Sequence, residues 1–404
     1  MTVLATQCCI VGGGPAGMML GFLLARTGVR SVVLEKHGDF LRDFRGDTVH
    51  PSTLNVMDEL GLLDAFLTLP HQEVARFSAQ FGEVRVQVAD FSHLPVRCGF
   101  IAMMPQWDFL DFLAAQGKRY PAFTALMHAE ATGLIEEGGR VVGVRATVEG
   151  KPQEIRADLV VGADGRHSTV RRSAGLEVKV LGAPMDVLWF RLTHKPTDTA
   201  ETMGRFDRGS ILVMLDRGDY WQCAYVIPKG SAESLKTAGI GKFRQKIVQL
   251  MPFLADRVHE LVGLDDLKLL TVGVERLEKW WKPGLLCIGD AAHTMSPIGG
   301  VGVNIAVQDA VAASNILAGP LKEGRLRDAD LEAVQARRLW PVRATQAVQV
   351  FLQNRMIAPT LAGTRPLRPP WPVLLLDRFA LLRRIPARVL GLGVQPEHVK
   401  TKAA

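Results

Sequence analysis

Residues 6–35, TQCCIVGGGPAGMMLGFLLARTGVRSVVLE, decide the fold. The apolar run 6–12 reads as a short buried strand. Residues 15–27 read as a helix that Pro15 opens and Gly28 closes. Residues 30–35 read as a second strand. Gly12, Gly14 and Gly17 give the spacing G-x-G-x-x-G at the turn between strand and helix. In such a turn the first glycine lets the chain fold back. The second lets a pyrophosphate approach the backbone, and the third lets helix and strand pack closely. The start of the helix offers unpaired N–H groups and the positive end of its dipole. Glu35 ends the second strand, 23 residues after Gly12. A carboxylate there accepts hydrogen bonds from ribose hydroxyls. The unit reads as a dinucleotide site built from Gly12, Gly14, Ala16, Gly17, Glu35 and Lys36.

Two further stretches carry chemistry. Residues 289–304, GDAAHTMSPIGGVGVN, follow a buried strand and lead into a helix. Asp290, at the strand end, suits sugar-like hydroxyls. The N–H groups of Gly302 and Val303 form a second anion site at a helix start. A ligand with a pyrophosphate and a distant electron-rich end would use both glycine loops, and the N1–C2=O edge of a reduced flavin is such an end. His293 reads as a residue that fixes the loop by hydrogen bonds. Residues 158–171, DLVVGADGRHSTVR, place an Asp164-Gly165 turn before a helix. Asp164 and Arg171 suit either phosphate contacts or loop fixation.

The rest of the chain orders around these motifs. Alternating runs MDVLWFRL, SILVMLD and YWQCAYVI between 185 and 227 read as an antiparallel sheet. Trp189, Arg191, Met214, Gln222 and Tyr225 are its candidate pocket residues. The β-α-β segments surround this sheet, so one domain is interrupted by another. The expected division is a discontinuous cofactor domain (1–75, 100–180, 270–345), a substrate domain (76–99, 181–269) and a C-terminal helical segment (346–404). Residues 371–393, rich in Leu and Arg, are expected to dock on the protein's own core, with Pro372 and Pro386 breaking them into short pieces.

The chain has 404 residues, 48% hydrophobic and 22% charged, values of an ordinary globular protein that exclude disordered and collagenous classes. The net charge of +7 comes without a basic cluster interleaved with aromatics, so no nucleic-acid partner is expected. Five scattered cysteines, with no C-x-x-C, exclude a disulfide framework and a zinc knuckle, and no metal site is expected. Free thiols fit a reducing compartment, and the expected location is the cytoplasm. No transmembrane helix and no membrane contact are expected.

Taken together, the three motifs, in this order and spacing, resemble the class A flavoprotein monooxygenases, the para-hydroxybenzoate hydroxylase-like group, over about residues 4–350. The resemblance implies a Rossmann-like α/β FAD-binding domain interrupted by a mixed or antiparallel β-sheet substrate domain, with C-terminal helices. It implies FAD, with the ADP half at Gly12, Gly14, Gly17 and Glu35. Arg45, in RGDTVHPSTL, and Gln106, in MMPQWDFLDFL, match residues that reach FAD. Asp164 matches the turn used by FAD and NAD(P)H, and Asp290 matches the ribityl contact. Pro297, Gly300, Gly302, Val303 and Asn304 match the segment beside the isoalloxazine. The implied reaction is hydroxylation of an aromatic or other electron-rich small molecule through a flavin C4a-hydroperoxide. Molecular oxygen is the oxidant and NADH or NADPH the transient reductant. The candidate catalytic residues are Pro297, Gln222, Arg191 and Asp47. The alternative is an FAD-dependent reductase or dehydrogenase of the same fold without oxygen transfer. The expected assembly is a monomer or homodimer.

Overall fold

The computed structural model describes residues 2–41, 48–198, 202–363 and 368–404. The first strand, Thr2–Val11, becomes fully buried from Cys8 onward. Helix Pro15–Arg26 crosses to strand Ser31–Leu34, which pairs with the first strand in parallel. Gly21 makes the crossover fit, because a Cβ there would stand 2.5 Å from Val33 Cγ2. The main path of the eight-stranded sheet runs 123–126, 31–34, 2–11, 151–162, 285–287, 281–282, parallel except at its last pair, and strands Arg140–Val148 and Ala129–Glu137 join it off this path in antiparallel pairing. Strand Lys151–Gly162 changes partner along its length. Its first half pairs with Arg140–Val148 and its last residues with Leu285–Cys287. The carboxyl ends of the parallel strands therefore bring residues 11, 34, 162 and 287 to one edge, where such sheets bind ligands.

Helix Gly302–Lys322 lies against helix Pro15–Arg26 in the core. The segment Ile298–Lys322 is long and apolar enough to cross a membrane, and 78% of its apolar window is buried inside the protein. A helix packed on all sides needs this composition as much as a membrane helix does.

A second sheet has seven strands in the order 268–270, 185–193, 220–228, 210–216, 203–207, 76–81, 84–90. All its pairs are antiparallel except Met203–Asp207 with Arg76–Phe81. Two helices follow the sheet's strand Tyr220–Pro228, Ala232–Ala238 and Ile240–Leu250, and then short 3-10 turns. Gly239, at φ +83, separates the two helices, and Pro252 opens the first of the turns.

The C-terminal segment docks by one face only. Val373, Ala387 and Gly391 are buried, whereas Trp371 is 73% and Leu381 70% exposed. Pro386 sits inside helix Ala380–Gly391, and the break falls instead at Phe379, between this helix and Trp371–Arg378.

Candidate dinucleotide site and active site

Steric contacts explain the first glycine loop atom by atom. Gly12 has φ +108, and a Cβ there would lie 2.3 Å from the Ala163 carbonyl oxygen. A Cβ on Gly17 would lie 2.0 Å from the Gly12 carbonyl oxygen. Gly14 differs. It precedes the helix at φ −75, ψ −177, and a Cβ there meets no protein atom within 4 Å. The open approach at the helix start is where a pyrophosphate fits. The half-buried Glu35 is held at the same edge. Its Oε2 accepts from Gly13 N–H at 3.1 Å and its Oε1 from His37 N–H at 3.0 Å. Lys36 is exposed beside it. Gln106 opens helix Gln106–Gly117 and is half-buried. Arg45 and Asp47 lie outside the described residues.

The two glycine loops abut. A Cβ on Gly289 would stand 3.0 Å from the Cβ of buried Ala16. Asp290 follows, half-buried, and no described residue donates a hydrogen bond to its carboxylate. Pro297 is half-buried, and its carbonyl accepts from Gly300 N–H at 3.0 Å. Thr48 Oγ1 donates to the Gly300 carbonyl at 2.7 Å, and a Cβ on Gly300 would collide with it at 2.5 Å. Gly302 starts the core helix with open space over its Cα, while Val303 is buried. Asn304 is placed with the loop, but its carboxamide is engaged by protein. Oδ1 accepts from His50 N–H at 2.8 Å and Thr53 Oγ1 at 2.7 Å, and Nδ2 donates to the Thr48 carbonyl at 3.2 Å. Asn304 thus ties the segment 48–53 to the loop, which leaves backbone groups to face a ligand.

Asp164 is engaged in the same sense. Its carboxylate accepts from Ser168 Oγ at 2.5 Å and from the N–H groups of Thr169 and Val170 at 2.7 and 3.1 Å. Helix Thr169–Ser173 begins there, so this is a cap. Buried Arg171 donates to the Arg166 carbonyl at 2.7 Å and the Ala291 carbonyl at 3.4 Å, joining this turn to the second loop.

Behind the second loop lies a buried charge chain that the sequence reading missed. Asp309 is fully buried; its Oδ2 accepts from Gly289 N–H at 3.0 Å and meets His293 Nε2 at 2.6 Å. Its Oδ1 accepts from Arg338 Nε at 2.9 Å. Burial pushes the Asp309 carboxyl up, and His293 and Arg338 outweigh it, holding the group below its usual range. Asp309 is the one acidic residue of a mostly apolar core helix, and that was the available signal, because a buried charge needs a partner. Buried His50 was missed as well. Burial lowers its pKa to about 4, so the ring is neutral at pH 7. Its Nδ1 lies 2.8 Å from the Leu390 carbonyl, which can only accept, so Nδ1 carries the proton.

Turning to the seven-stranded sheet, its alternation puts Leu188, Phe190, Met214, Cys223 and Tyr225 on the face packed against helix Ile240–Leu250. Met214 and Tyr225 are therefore structural, and Tyr225 OH bonds Ser210 Oγ at 3.2 Å. The opposite face carries Val187, Trp189, Val213, Ala224 and Val226, in one cluster with Ile298 of the second glycine loop. Gln222 and Arg191 are register partners on this face. Gln222 is buried and accepts from Arg217 Nε at 3.0 Å, while Arg191 is exposed with its guanidinium 4.9 Å above the Tyr220 ring. The five cysteines are buried and unpaired. Burial pushes the Cys9 thiol up to about 12, which leaves it inert.

Comparison with known proteins bears on the family and the fold. The family described as "FAD binding domain" matches residues 5–349. A 6-methylpretetramide 4-monooxygenase of Streptomyces rimosus is 35% identical over 366 residues, covering 90% of this chain and 87% of that one. A rifampicin monooxygenase of Streptomyces venezuelae is 29% identical over 327 residues, 74% of this chain and 61% of its own length. The structure of Pseudomonas aeruginosa PqsL in complex with 2-aminobenzoylacetate superposes with a TM-score of 0.75 at 22% identity, covering 89% of this chain and 99% of that one. The chain is thus an FAD-dependent monooxygenase and belongs to the class A flavoprotein monooxygenase family.

Proposed function

We propose that the enzyme hydroxylates an aromatic or other electron-rich ring of an apolar small molecule, with NADH or NADPH as reductant. The observation that carries this reading is the contact between Ile298 and the apolar inner face of the seven-stranded sheet. A reactive oxygen species must be kept from water, and this face is the apolar wall nearest the loop. FAD, when bound, supplies the hydride acceptor and the centre at which oxygen is activated. Gly14 and Gly302 leave room for it at two helix starts, Glu35 and Asp290 offer acceptors for its hydroxyls, and no described donor competes for Asp290. Val187, Val213, Ala224 and Val226 exclude water from the ring. Gln222, held by Arg217, is a buried polar group on the same face. The name of the 6-methylpretetramide 4-monooxygenase points to a polycyclic substrate class.

The test is a panel of mono- and polycyclic phenols, assayed for stimulated NADH and NADPH oxidation and for a product heavier by one oxygen from labelled O2. Coupled incorporation is the expected result. Stimulated oxidation of the nicotinamide without incorporation by any compound, together with reduction of an unsaturated one, would favour the reductase reading.

A further inference from the structure

The family match ends at residue 349, yet residues beyond it support the second glycine loop, directly at Gly299 and, through Arg338 and Asp309, at its start. At the loop's start, Gly289 N–H and His293 are held by Asp309, and Asp309 by Arg338. Arg338 is 1% exposed and donates in turn to Glu397 Oε1 at 3.3 Å. Glu397 is itself buried and also accepts from Arg337 Nε at 2.7 Å. At the loop's end, Leu390 packs so close that a Cβ on Gly299 would lie 2.7 Å from its Cδ2, and the Leu390 carbonyl accepts a hydrogen bond from His50 Nδ1. The tail that follows has no helix or strand, but side chains from distant elements fix it. Glu59 accepts from Val399 N–H at 2.7 Å, Asn315 accepts from Lys400 N–H at 2.9 Å, and Arg26 donates to the Thr401 carbonyl at 2.8 Å.

We propose that residues 387–404 form a latch for the FAD loop, with Glu397 as a positioning residue. Electrostatics give the reason. Asp309 alone faces both a buried guanidinium and the imidazole of His293. With Glu397 present, Arg338 is shared between two carboxylates, and Asp309 keeps a lone pair directed at Gly289 N–H. Without it, Arg338 is left with one buried counter-charge and draws Asp309 toward itself and away from the loop. The latch rests on the assignment of residues 289–304 to FAD and not on the substrate proposed above.

The test uses the full chain and measures FAD dissociation constants by flavin fluorescence, with circular dichroism of each variant. Glu397→Gln removes the charge and keeps the shape; Glu397→Asp keeps the charge. Glu59→Gln loosens the same tail without touching the loop. Loss of one charge-assisted hydrogen bond predicts weakening of roughly tenfold or more for Glu397→Gln, recovery of most of it in Glu397→Asp, and wild-type affinity in Glu59→Gln. Should Glu397→Gln fail to fold, Arg337→Gln, on a side chain 39% exposed, probes the same carboxylate: Glu397 is then left to Arg338 alone, so FAD binding at least as tight as in wild type is expected, and a severalfold loss overturns the latch. Wild-type affinity in Glu397→Gln, with Asp290→Ala weakened, overturns the latch and spares the loop assignment. Wild-type affinity in both overturns the two together. Equal losses in Glu59→Gln and Glu397→Gln overturn the positioning role, because general loosening of the tail would then account for both.

Discussion

Replacing Gly14 by alanine separates folding from cofactor binding at a single methyl group. The φ/ψ of Gly14 suits any L residue, and no protein atom lies within 4 Å of the added Cβ. Such a change stabilises a protein by about 0.4–1 kcal/mol, through lower entropy of the unfolded chain. Unfolding entropy of roughly 2.1 cal/mol/K per residue gives about 0.85 kcal/mol per degree for a chain of 404 residues. The apoprotein should therefore melt about 0.5–1 °C higher than wild type. The same methyl projects into the approach to the helix start and displaces a phosphate from at least one N–H group. At ~1.5–3 kcal/mol for a hydrogen bond to a charged group, FAD affinity should fall roughly 10- to 150-fold. Gly12→Ala and Gly17→Ala should behave oppositely, because their Cβ atoms would stand 2.3 and 2.0 Å from carbonyl oxygens, and both should lower the melting point of the apoprotein. Calorimetry of apoprotein and fluorescence titration with FAD measure the two quantities independently. Wild-type FAD affinity in Gly14→Ala would refute the path assigned to the pyrophosphate.

Asp290 and Asp164 should divide in the same way: Asp290→Ala weakens FAD at unchanged apoprotein stability, whereas Asp164→Ala loses a helix cap worth about 1 kcal/mol. Titration and calorimetry of both variants check this, and identical behaviour of the pair would contradict it. The depressed pKa of Asp309 stabilises the fold fully above about pH 4, the ordinary carboxylate range, and the contribution is lost as pH falls through the lower folded value. Asp309→Asn should flatten the acid limb of the stability profile; an unchanged limb would remove Asp309 from the chain. On the sheet, Gln222→Trp should change the ratio of product to hydrogen peroxide with FAD retained, while Met214→Ala should cost about 2–5 kcal/mol of stability and leave that ratio alone. Reversed outcomes would put the pocket on the helix-covered face.

What the sequence made legible is what the backbone does locally. Three glycines between an apolar run and a helical one describe a turn whose sterics involve atoms only a few residues apart, apart from the Ala163 contact. The structure has that turn, with Glu35 held at its mouth. Alternation in 185–227 likewise marked the strands of a sheet. It did not tell the faces apart, because both are apolar. Leu188, Phe190 and Leu192 alternate with Val187 and Trp189, and only the positions of helix Ile240–Leu250 and Ile298 assign inside and outside. Met214 and Tyr225 are pocket candidates by alternation alone, and the structure turns them to the helix-covered face.

The illegible part has a common physical cause. Asp164 and Asn304 look like ligand residues by position, and in the structure their polar atoms are consumed by the protein. A motif residue and a cap residue have the same chemistry, and only the count of remaining lone pairs separates them. Asp290 keeps its lone pairs free of described donors, which a sequence cannot show. The partners that decide such counts are far away along the chain. His50 meets Leu390 at a separation of 340 residues, and Arg338 meets Glu397 at 59. A buried charge is tolerated only with such a partner. Asp309, the one acidic residue of its helix, was therefore a question posed by the sequence, and the fold answers it with His293 and with Arg338, which is itself tied to Glu397 of the C-terminal tail.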